Sequence, residues 1–160
     1  MKKLISLTIL GFIFISCAYE ASAQSSAALS LKGIKRIQIV IEDFHSETGR
    51  FVSREAIAQS IGERLRRRGI QITTDTKSDD RYNYLYANLN LLSDGGGVFF
   101  NIKLSFKQIA TLDNDERMIV TTWDKATIAT GGATGARKQI MEIIEELTDE
   151  FLLDYLTVNR

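Results

Sequence analysis

The chain has 160 residues, 44% of them hydrophobic, with 20 basic and 20 acidic side chains and no formal net charge. That is enough apolar material for one core, and the charge is too balanced for an electrostatic nucleic-acid binder. A single cysteine and a single histidine exclude an internal disulfide and the usual zinc ligand sets, and the absence of proline argues against a long rigid linker.

Residues 1–23 read as a cleavable signal peptide. Lys2 and Lys3 form a positive start, 4–15 is an apolar run broken only by Ser6, Thr8 and Gly11, and Ala21-Ser22-Ala23 has the small-x-small pattern of a cleavage site. Cleavage is expected between Ala23 and Gln24, giving a periplasmic or secreted protein with no thiol. The apolar run falls short of the roughly 20 residues that span a bilayer. A second reading stays open: Phe14-Ile15-Ser16-Cys17 resembles a lipobox, with Phe14 where Leu is preferred, and a lipid on Cys17 would anchor the protein to a membrane.

Residues 24–33 are small and polar and are expected to be a flexible lead. A single domain should occupy 34–160. Its first strand spans 34–44, with Ile37, Ile39 and Ile41 alternating with other residues. Ser53 reads as the N-cap of a helix, Glu55 suits its dipole, and Val52 and Ile57 are spaced as a hydrophobic staple. Ile57, Ala58, Ile61 and Leu65 mark its inner face, four arginines (64, 66, 67 and 68) crowd its last turn, and Gly69 ends it.

A short strand follows at 70–72, and a helix between two strands implies a right-handed parallel crossover. Three long strands are expected at 82–92, 98–112 and 118–130, separated by glycine- and aspartate-rich turns. On the third strand Leu85, Ala87, Leu89 and Leu91 form one face. On the fourth, Val98, Phe100, Ile102, Leu104 and Phe106 do the same. The last helix runs over 136–156, with Ile140, Ile143, Ile144, Leu147, Phe151 and Tyr155 on its buried stripe. The order β-α-β-β-β-β-α predicts an α+β two-layer sandwich: a largely antiparallel sheet with both helices on one face.

Chemistry-bearing patterns are sparse. His45 lies between Asp43 and Glu47 and could serve as a base beside a carboxylate, but sequence neighbours rarely converge, and a solvated loop is the simpler account. The run Gly131-Gly132-Ala133-Thr134-Gly135 precedes a helix, where amides can cradle phosphate, yet it lacks the nucleotide-loop ending and reads as a connection. The arginine cluster could meet anionic lipid, or simply complement the helix dipole. No catalytic residue, metal ligand or cofactor site is therefore assigned.

The surface of interest is the sheet face away from the helices. There the alternation places Tyr84, Tyr86, Asn88, Phe99, Lys103 and Trp123, an aromatic and polar mixture common on binding surfaces. A bulge in the last strand would move Trp123 to the other face.

Three pieces, Tyr84-Leu85-Tyr86-Ala87-Asn88-Leu89-Asn90, Thr121-Thr122-Trp123 and the stretch from Asp149 through Phe151 and Tyr155 to Asn159, resemble a group of small secreted bacterial proteins sharing "LYxNxN", "TW" and "DxFxxxYLxxN" patterns. That resemblance brings no activity or site residues. In topology alone the order of elements is similar to LptE-like lipopolysaccharide-assembly lipoproteins and to TolB-like N-terminal envelope domains. The expected function is a non-catalytic exported domain that binds a cell-envelope protein or lipid, with no nucleic acid. A periplasmic carrier of a small ligand or lipid is the alternative, and a hydrolase using Asp43 and Glu47 ranks last. An open sheet edge leaves room for a homodimer.

Overall fold

The computed structural model describes residues 26–44, 47–73, 83–94 and 96–159. The expected signal segment with Cys17, Ala23 and Gln24, and His45, lie outside the described residues.

Strand β1 (Arg36–Ile41) leads through a 3-10 turn (Thr48–Arg50) to helix α1 (Arg54–Arg67). Strands β2 (Gln71–Thr73), β3 (Tyr84–Asp94), β4 (Gly97–Thr111) and β5 (Arg117–Gly132) follow, and helix α2 (Ala136–Val158) closes the chain. The five strands form one sheet in the order β2-β1-β3-β4-β5. Both helices cover the same face, as the two-layer α+β expectation requires. The sheet is mixed: β1 pairs in parallel with β2 and with β3, while β3, β4 and β5 form the antiparallel meander.

Local signals account for the element boundaries. Ser53 Oγ accepts the Ala56 amide at 3.1 Å, and Val52 and Ile57 are both buried as a staple. At the other end of α1, Gly69 takes φ +79°, and Ile70 N donates to Leu65 O at 3.2 Å, which closes the helix in a left-handed cap. The β3–β4 hairpin turns at Gly96 (φ +102°), between the paired residues Asp94 and Gly97.

The core lies between sheet and helices. Every inward residue expected on β3 and β4 is buried, as are the six stripe residues of α2. Two expectations fail. Residues 26–33 are not a loose lead: Ser26–Leu29 forms a helical turn, and Leu31 is completely buried in the core. Asn159 and Tyr155 hold this segment in place. Gly33 N donates to Asn159 Oδ1 at 2.7 Å, Asn159 Nδ2 donates to Leu31 O at 2.9 Å, and the Tyr155 hydroxyl donates to Ile34 O at 2.7 Å.

The second correction is Trp123. It is only 2% exposed and lies in the core, not on the open face. Phe106 pairs with Trp123 but Lys107 pairs with Thr121, so Thr122 is an extra residue on β5. Such a bulge reverses the face on which every later side chain falls. Trp123 stacks edge-on against Phe151 with ring centroids 5.1 Å apart, and its indole nitrogen donates to Asp154 Oδ2 at 2.8 Å.

Candidate binding face

The face turned away from the helices is laid out by strand register. One row runs Gln38, Tyr84, Lys107, Thr121, and the next runs Val40, Tyr86, Ser105, Asp124. Beyond these, Asn88 pairs with Lys103 and Lys103 with Ala126, Asn90 pairs with Asn101 and Asn101 with Ile128, and Leu92 pairs with Phe99 and Phe99 with Thr130. Of the six residues expected on this face, the fold brings together five: Tyr84, Tyr86, Asn88, Phe99 and Lys103. Ile128 and Leu92 belong there too. Ile128 lies past the bulge, where the alternation of the first half of β5 no longer holds; Leu92, at the end of β3, was readable from the alternation.

The face has two halves of different chemistry. Toward the β1 side, Tyr84 and Tyr86 meet edge to face at 6.5 Å, and Lys107 Nζ sits 4.2 Å from the Tyr86 ring centroid and 5.9 Å from that of Tyr84. Cation–π contacts of this kind stabilise by about 0.5–1 kcal/mol at exposed sites. Partial burial first, and then its hydrogen bond to Glu42, push the Tyr86 phenol above its ordinary value. Lys103 Nζ lies 2.7 Å from Asp124 Oδ2, so the middle of the face is ion-paired.

Toward the β3–β4 hairpin the face turns apolar. Leu92 is 73% exposed, Phe99 53% and Ile128 80%. Phe99 sits directly across from Leu92 and diagonally from Ile128, so the three form one patch. No described element covers either half.

Among the described residues, the other candidate chemistries find no constellation. Asp43 is exposed and forms an ion pair with Arg54, and Glu47 is exposed. The glycine run makes a compact turn whose Gly135 amide donates to Gly132 O at 3.1 Å. Of the arginine cluster, Arg64 points to α2, where it binds Glu145 and both carboxylate oxygens of Asp149 (2.8 Å each). Burial lowers its basicity, but the two carboxylates outweigh this, and its pKa rises. Arg66, Arg67 and Arg68 are exposed. Between α1 and α2 lies an open acidic groove of about 570 Å³. Between sheet and helices, a cavity lined by Ile61, Ala87, Ile102, Leu104, Ile144 and Leu147 holds only about 10 Å³. Among the described residues, no helix is long and apolar enough to cross a membrane.

No protein-family model matches the chain, and no curated protein matches it. Solved structures with a similar chain path include a minor lipoprotein from Acinetobacter baumannii, at 10% identity and TM-score 0.41, covering 75% of this chain and 89% of that one. Rare lipoprotein B from Shewanella oneidensis is similar at 13% identity and TM-score 0.42, covering 76% and 94%. A PelC dodecamer from Paraburkholderia phytofirmans is similar at 12% identity and TM-score 0.41, covering 77% and 86%. Likeness at this level leaves ligand and partner to be argued from the chain's own residues.

Proposed function

We propose that this is an exported, non-catalytic domain that binds a protein of the cell envelope through the outer face of its sheet. Export rests on the signal pattern of residues 1–23 and the Ala23–Gln24 cleavage site. The observation that carries the binding role is the Tyr84–Tyr86–Lys107 cluster on a sheet face that no described element covers. Tyrosines offer large rigid contact area with a polar tip, and the neighbouring Asn88, Lys103 and Asp124 supply directional polar groups.

The carrier alternative is weakened by the packing. Small-molecule sites enclose about 300–1,000 Å³, and the cavity between sheet and helices is about 10 Å³. A ligand would have to bind on the surface.

A photoreactive residue in place of Tyr84, in cells that export the protein, tests the reading. One dominant adduct with an envelope protein is expected, and Lys107→Ala should weaken it in a protein of unchanged fold. Absence of an adduct, or adducts that merely follow protein abundance, would sink the proposal.

A further inference from the structure

The two edges of the sheet are unlike. β2 is three residues long, whereas β5 runs for 16. A bare edge presents a row of N–H and C=O groups that another strand can satisfy, and natural sheets blunt such edges with proline, charge or bulges. β5 has its bulge at Thr122 and charges at Asp124 and Lys125, but residues 126–132 carry neither charge nor proline. The chain's own contacts with this stretch of edge are marginal. Ser30 Oγ reaches the Thr122 carbonyl at 3.4 Å, and Gln139 Nε2 reaches the Thr130 carbonyl at 3.4 Å. Between them, the backbone of residues 124–129 pairs only with β4 among the described residues.

We propose that this edge pairs antiparallel with the same edge of a second copy, giving a two-fold dimer with one continuous sheet. The pattern of β5 is self-complementary about its own bare stretch. With the two-fold axis at Thr127 or Ile128, Ile128 falls opposite Ala126 or Ile128 of the second copy. Asp124 then faces Thr130 or Gly132, and Lys125 faces Ala129 or Gly131. No like charges meet, and the residue directly opposite Ile128 across the seam is apolar. An axis at 124 or 125 would instead set Asp124 against Asp124 or Lys125 against Lys125, which is repulsive. Pairing at the permitted register also sets the two Ile128 side chains, each 80% exposed in the single chain, beside one another across the seam. A lipid could cover the patch but cannot satisfy the strand's peptide groups.

Sedimentation of the purified protein over a range of concentrations should show a species of twice the chain mass. Ile128→Lys, at a position too exposed to disturb the fold, should remove that species while circular dichroism and Trp123 emission stay unchanged. A photoreactive residue at position 128 should give a covalent homodimer linked within 124–132 of the second copy. A single-chain mass at every concentration overturns the proposal. So does an Ile128→Lys protein that still dimerises, or an adduct joining position 128 to a different polypeptide. The inference does not depend on the envelope partner, because the probe at Tyr84 reads the other half of the face.

Discussion

Trp123 has Phe106 as its cross-strand neighbour, Phe151 edge-on against its ring and Asp154 at its indole nitrogen. Replacing it with Ala should therefore destabilise the fold by about 3–5 kcal/mol, measured by urea denaturation. Asp154→Ala should lose about 1.5–3 kcal/mol, the range for a hydrogen bond to a charged acceptor. Tyr155 gives a pH signature. Burial raises its phenol above the ordinary value of 10.0. The folded state thus holds the proton more tightly than the unfolded chain. The resulting stabilisation is fully present below about pH 10 and is lost as pH climbs through the folded value. Denaturation midpoints should fall above pH 10, and Tyr155→Phe should reduce that fall. The side of β5 on which Trp123 lies was not legible, because an inserted residue leaves no mark in a run that alternates on both sides of it. A signal existed nonetheless. α2 carries Glu142, Glu145, Glu146, Asp149, Glu150 and Asp154, so the strand beneath it should offer a cation and not Asp124. With Trp123 turned inward, Lys125 does turn inward and lies 3.5 Å from Glu150.

The elements were legible where their signals are local. The alternation on β3 and β4, the Ser53 cap and the Gly69 stop each act within a few residues, and each appears as expected. The place of β1 between β2 and β3 was not legible, since its parallel pairing with β3 joins Gln38 to Tyr84 with helix α1 and strand β2 in between, and no local signal records so distant a pairing. The arginine cluster was read as a unit, yet the fold divides it. Only Arg64 bridges α1 to α2, and it does so partly in solvent, with a quarter of its side chain exposed. Arg64→Ala should accordingly cost no more than about 1 kcal/mol, and the loss should shrink in high salt. A larger, salt-independent loss in thermal melts would mean that its methylenes, rather than its charge, hold the helices together.

For the molecule as a whole, the resemblance pattern near the C-terminus turns out to be architectural. Phe151 packs on Trp123, Tyr155 ties Ile34, and Asn159 ties Leu31 and Gly33. Asn159→Ala should cost about 1–2 kcal/mol. Hydrogen exchange should show the Gly33 amide losing its protection while β3 and β4 keep theirs. The candidate face, by contrast, carries the other half of the pattern, Tyr84, Tyr86, Asn88 and Asn90, and there the side chains point away from the core. The clasp at Asn159 also has a topological consequence. It brings the Leu31–Gly33 segment and the end of α2 to one address, like the two ends of a belt at the buckle. A pull applied between the segment before Leu31 and the end of α2 would load the buckle before it reached the sheet.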